Sequence, residues 1–101
     1  MVYLNKKKDV TVLFNLFEFT NDKYKILKCL YDNQIQVKND KYIALSQQEI
    51  ADIVHFSKNK TNKIIQELKK NNFINSYNNI KGKYIVTKKG YKVIDIIEKI
   101  Y

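Results

Sequence analysis

The sequence predicts a mainly α fold with one small β-hairpin, an α+β class, on three observations. The first is a capping box, Ser46-Gln47-Gln48-Glu49, opening a short run of apolar residues at helical spacing. The second is another capped run that begins at Ser57 and places Thr61, Ile64, Ile65 and Leu68 on one helical face. The third is a pair of strand-like runs, 73–77 and 83–87, separated by Asn78-Asn79-Ile80-Lys81-Gly82. A chain of 101 residues that is 45% hydrophobic suffices for one compact domain, so 1–101 is expected to form a single unit. A core of that size is marginal, and association with a second copy would bury more apolar surface.

Residues 1–9 carry Lys6, Lys7 and Lys8 and are expected as a loose basic start. Over 10–19, Val10, Leu13, Phe14 and Phe17 fit a helix, whereas Val12, Phe14 and Leu16 fit a strand; the helix is favoured. Thr20 is a cap for the next helix, whose stripe is Ile26, Leu27, Leu30 and Tyr31. Cys29, the only cysteine, lies in that stripe and reads as a small core residue; alone it makes neither an internal disulfide nor a cysteine zinc site. Residues 33–40 are polar and turn-like, and 42–45 read as a short strand.

After the capping box, flanked by Leu45 and Ile50 as a hydrophobic staple, Ile50, Ile53 and Val54 form the expected buried face of a two-turn helix. His55-Phe56 is a tight turn, Ser57 caps the following helix, and Asn71-Asn72 ends it, asparagine standing where glycine would supply a left-handed residue. In the hairpin, Tyr77 and Tyr84 are expected to face each other across the strands. Thr87 caps a last helix with Val93, Ile94, Ile96, Ile97, Ile100 and Tyr101 on a broad apolar face. The order is that of a winged helix-turn-helix: helix-turn-helix over about 46–71, wing over about 73–87, and C-terminal helix over about 88–101.

The formal net charge of +9 points to a polyanionic partner, and all of its basic residues are lysines. Residues 57–92 hold ten lysines and one acid, Glu67, a difference of nine that equals the whole net charge. Because that segment coincides with the second helix and the wing, double-stranded DNA is the expected partner. Lys58, Lys60 and Lys63 suit phosphates or guanine edges, while Asn59, Asn62 and Gln66 are candidates for adenine readout, which favours an AT-rich duplex. Ser46, Gln47 and Ser57 at the helix starts, and Lys81 and Lys83 in the wing, complete the expected DNA-binding set. Lysine is a poorer minor-groove probe than arginine, so the wing is expected to add affinity more than specificity.

The stretch Ser57-Lys58-Asn59-Lys60-Thr61-Asn62-Lys63-Ile64-Ile65-Gln66-Glu67-Leu68, the exit from Leu68 into Ile74, and Thr87-Lys88-Lys89-Gly90 resemble bacterial winged-helix regulators of the MarR/ArsR-like superfamily. Asn72 departs from the glycine usual there. The likeness covers a little over half of the chain and implies fold more than biological role. Ile-Val-His-Phe-Ser-Lys, the basic wing and the terminal helix together resemble TubR-type adaptors of plasmid and phage segregation. That resemblance implies a homodimer that binds arrays of centromere repeats, represses its own operon and acts with a tubulin-like filament-forming protein. A stand-alone repressor or a replication-origin binder shares most of the same signals.

One histidine, one cysteine and no glycine-rich phosphate loop leave no nucleophile–base pair at recognisable spacing. No enzyme activity, cofactor or metal is therefore expected. His55, alone in a turn, reads as a packing or phosphate-contacting residue rather than a proton switch. The lysines span a helix, a hairpin and a further element, a layout that suits a DNA groove better than a membrane surface. With no apolar run of spanning length and no signal-peptide pattern, the expectation is a cytoplasmic protein.

Overall fold

The structure, a computed structural model, describes residues 22–100. They form α1 (Asp22–Asp32), β1 (Ile35–Val37), β2 (Asp40–Tyr42), α2 (Gln47–Val54), α3 (Lys58–Lys70), β3 (Ile74–Ser76), a 3-10 turn (Tyr77–Asn79), β4 (Tyr84–Val86) and α4 (Lys88–Ile100). The helix expected over 10–19, the Thr20 cap and Tyr101 lie outside the described residues. The arrangement is a winged helix-turn-helix. α1, α2 and α3 pack against one another, the β3–β4 hairpin follows α3, and α4 returns onto α1 and β4.

The core joins one apolar face from each helix to Ile43, Ile74, Tyr84 and Val86, while β1 stays exposed. α1 contributes Ile26, Leu27, Cys29 and Leu30, α3 contributes Ile64, Ile65 and Leu68, and α4 contributes Ile94 and Ile97. Burial pushes the Cys29 thiol above its ordinary range, with Asp32 adding to the effect. On α2 the buried residues are Ile50 and Ala51, with Val54 half-buried, whereas Ile53, expected in the core, is 48% exposed. At 100° per residue, Ala51 and Val54 place the buried arc on one side of Ile50, and Ile53 falls on the other.

Two further expectations are corrected in the strands. Residues 33–40 are not a simple turn, because β1 and β2 pair as a hairpin with Ile35 opposite Tyr42, Gln36 opposite Lys41 and Val37 opposite Asp40. Its turn uses Lys38 at φ 58°, a residue that carries no turn signature. The strand expected over 42–45 shrinks to the end of β2 and one bridge, in which Ile43 and Tyr84 exchange N–H···O bonds of 2.7 and 2.9 Å.

In the wing, the partners are Ile74 with Val86, Asn75 with Ile85 and Ser76 with Tyr84. Tyr77 therefore does not face Tyr84. Tyr84 is buried, and Tyr77 instead stacks on Tyr42 at 4.5 Å and 12°. Its hydroxyl donates to Asp40 Oδ2 at 2.7 Å, and that bond holds the phenol above its ordinary pKa. The two hairpins are thus clasped on the side opposite Tyr84.

The α3–β3 junction is a Schellman motif. The Phe73 N–H donates to Leu68 O and the Asn72 N–H to Lys69 O, with Asn72 at φ 64° in place of glycine. The Thr87 hydroxyl donates to Asn72 O at 2.6 Å and accepts from the Gly90 N–H at 3.1 Å, so the cap of α4 also ties α4 to the end of α3.

Two substitutions test this packing with unusual signs. In a helix Gly→Ala ordinarily stabilises, but a Cβ at Gly90 would press on the Phe73 carbonyl and lie 2.7 Å from Val86 Cγ1. Gly90→Ala is expected to lower unfolding free energy by about 1–3 kcal/mol in urea titration. Thr61 is fully buried, and its Oγ1 has no hydrogen-bond partner among the described residues. Thr61→Val is expected to be neutral or to stabilise by about 1 kcal/mol in the same measurement.

Candidate nucleic-acid interface

Burial of Thr61, Ile64, Ile65 and Leu68 against α1 and α2 turns the opposite side of α3 to solvent. Lys58, Asn59, Asn62, Lys63 and Gln66 are all exposed there. None of Lys58, Lys63 and Lys70 makes an ion pair among the described residues, so their charges are available to a polyanion. The α3 N-terminus adds the positive end of its dipole beside Lys58.

Lys60 is placed differently from its neighbours. Its ammonium reaches Asp22 Oδ2 at 2.7 Å and sits 4.2 Å from the Phe56 ring centroid. It therefore folds back against α1 and the interhelical turn. Neither partner belongs to α3, so the periodicity of that helix alone counted Lys60 as outward. Glu67, the one acid of the basic segment, is likewise engaged by Lys23 at 3.2 Å.

Ser46 and Ser57 have defined structural duties. Ser46 Oγ accepts from the Glu49 N–H at 3.1 Å while Glu49 Oε1 accepts from the Ser46 N–H at 2.9 Å, the full capping box. Ser57 Oγ accepts from the Lys60 N–H at 3.1 Å. Between the two helices His55 adopts φ 62°, and the following Phe56 N–H returns to Ala51 O. The sequence placed a turn here, but not histidine in the left-handed position that closes it. Gln47, at the start of α2, reaches across to Asn62 and donates to its Oδ1 at 3.1 Å.

In the wing loop Asn78, Asn79 and Gly82 all take positive φ, Gly82 at 83°. Lys81 is exposed near the tip. Lys83 is half-buried, its ammonium 5.1 Å from the Tyr42 ring centroid, so it helps hold the wing to the first hairpin. Lys88 and Lys92 are exposed along α4, whereas Lys89 donates to Asn71 O at 2.9 Å.

Acids gather elsewhere. Lys28 pairs with Glu98 at 2.6 Å and Asp32 at 3.0 Å between α1 and α4, hydrogen bonds that hold its ammonium well above the usual pKa. Asp95 pairs with Lys99 on α4. Among the described residues no cluster of His, Cys, Asp or Glu is arranged to hold a metal ion. No helix among them is long and apolar enough to cross a membrane.

Solved structures share this fold. The reduced Fe(II) CO-sensing protein from R. rubrum superposes with a TM-score of 0.63 at 16% identity over 87% of this chain and 42% of its own. A CRP/FNR-family transcriptional regulator from Thermus thermophilus gives a TM-score of 0.59 at 16% identity over 87% of this chain and 49% of its own. The chain thus spans less than half the length of either structure, and the likeness is one of fold. No family model matches the sequence, and no curated protein matches it.

Removing either capping hydroxyl separates structural from binding roles. Ser46→Ala and Ser57→Ala are each expected to lower stability by about 0.5–2 kcal/mol, read as a drop in thermal midpoint. An unchanged midpoint for both would mean the hydroxyls are free for other partners.

Proposed function

We propose that this protein binds double-stranded DNA sequence-specifically as a homodimer, with α3 in the major groove and the wing against the flanking backbone or minor groove. The observation that supports this best is the outward face of α3. There lysines and carboxamides stand exposed over a fully buried stripe, in the segment whose charge equals the net +9 of the chain. The fold shared with a transcriptional regulator favours control of transcription.

The finer form of this proposal is a plasmid or phage segregation adaptor. It would bind repeated centromere sites, repress its own operon and engage a tubulin-like filament-forming protein; its support is the motif resemblance across 53–58, the wing and the terminal helix. A MarR/ArsR-like repressor or an origin binder would use the same face on differently arrayed sites. In the dimer, the surface of α4 available to a partner is limited. Ile94 and Ile97 are buried in the core, leaving half-buried Val93 and Ile96 among the described apolar residues.

Footprinting on the DNA upstream of the coding region distinguishes the roles: evenly spaced direct repeats indicate an adaptor, and one palindrome over a promoter indicates a repressor. Salt titration of the bound site tests the face itself. Lys58→Ala and Lys63→Ala are each expected to reduce the log–log salt slope by about 0.9, the value for one lost phosphate contact. Lys60→Ala, whose ammonium is held by Asp22 and Phe56, is expected to leave the slope near wild type. Wild-type slopes for all three variants would remove α3 from the interface, and an equal reduction in all three would return Lys60 to it.

A further inference from the structure

Three side-chain carboxamides meet where α2 approaches α3. Gln47 occupies the first position of α2, and Asn62 and Gln66 lie one turn apart on the exposed face of α3. Gln47 Nε2 donates to Asn62 Oδ1 at 3.1 Å, and Gln66 Nε2 approaches the same oxygen at 3.5 Å. A carboxamide oxygen has two lone pairs and the nitrogen two hydrogens. Two donors therefore use the acceptor capacity of Asn62, while its Nδ2 has no partner among the described residues.

This arrangement changes what Asn62 can read. An asparagine bound bidentately to adenine needs its oxygen for the N6 amino group and its nitrogen for N7. Asn62 offers the groove its nitrogen only. In the major groove the keto bases present acceptors, O6 and N7 of guanine or O4 of thymine. Cytosine presents only the N4 donor, and adenine sets its N6 donor beside N7, so a donor-only side chain can use one edge atom of adenine and leaves N6 unmatched.

We infer that Gln47 is a positioning residue that holds Asn62 as a donor-only reader, selecting a keto base on the contacted strand. The inference rests on the DNA-binding reading above and revises the adenine preference that residue type alone suggests for Asn62. Gln47 acts through the orientation of Asn62, and the same side chain links the two helices of the helix-turn-helix.

Gln47→Glu tests it with almost no change of shape. A carboxylate only accepts, so the Asn62 amide must rotate to give Nδ2 to Glu, turning Oδ1 toward the groove. The site should then favour an amino base. An acid in the first turn of a helix is electrostatically favourable, so the variant should stay folded, as a thermal melt would verify. Relative affinities are measured for wild type, Gln47→Glu, Asn62→Ala and the double variant, on the footprinted duplex with each base pair substituted in turn. The added negative charge weakens binding to all duplexes alike and divides out of the ratios.

At one position wild type should prefer a keto over an amino base by about tenfold. Gln47→Glu should reverse that preference, and Asn62→Ala should abolish it alone and in the double variant. An unchanged preference in Gln47→Glu overturns the inference. So does a reversal that persists without Asn62, since Gln47 would then read the base itself. Absence of any sequence preference in wild type is a different result: it overturns the sequence-specific part of the DNA-binding reading and this inference with it.

Discussion

Burial of Thr61, Ile64, Ile65 and Leu68 fixes the rotation of α3 about its own axis, and the outward set of side chains follows from that single constraint. A helix has one angular degree of freedom once its axis is placed, and four buried residues on one stripe remove it. α1 and α2 supply the surface that receives the stripe, chiefly Ile26, Leu27, Leu30 and Ile50, all fully buried. The same packing that stabilises the monomer therefore sets the pattern of lysines and carboxamides offered to a partner. Moving the stripe by one residue would put Ile64 or Ile65 at the surface and carry Asn62 out of reach of Gln47.

The chain contains no proline and two glycines, so apart from Gly82 in the wing its described turns are closed by other residues. Lys38, His55, Asn72, Asn78 and Asn79 all occupy positive φ. Asparagine tolerates this conformation better than most side chains, because its short amide can bond to nearby backbone. Lys38 has no such advantage, and His55, though commoner in this conformation than most side chains, lacks the short amide. They are held there by the hydrogen bonds that surround them: the Phe56 N–H to Ala51 O after α2, and the paired strands of the first hairpin. Tertiary structure thus selects local conformations that composition would not.

Charge is distributed by the same logic. The paired acids are largely surface residues, and each such pair contributes at most about 1 kcal/mol. Their effect is to decide which lysines remain free. Asp22 withdraws Lys60, Glu67 engages Lys23, and Glu98 with Asp32 holds Lys28 on the α1–α4 side. Lys58 and Lys63 on α3 and Lys81 on the wing remain without such partners among the described residues. The concentration of lysines in 57–92 therefore becomes a directional field.

Legible in the residues alone were α2, α3 and their caps, the Asn72 exit, the wing and the Thr87 cap. These are decided within a few residues by periodicity and by hydrogen bonds between near neighbours. The segment of high positive charge was equally legible, since charge is additive along a chain. The β1–β2 hairpin was not, because its strands have three residues each and no buried face to mark them by alternation. Folding also settled the exposure of Ile53, the stacking of Tyr77 on Tyr42 instead of pairing with Tyr84, the withdrawal of Lys60, and the donation from Gln47 to Asn62. Each of these depends on what stands opposite a side chain across the fold. Spacing along the chain specifies a face, but only packing specifies what that face meets.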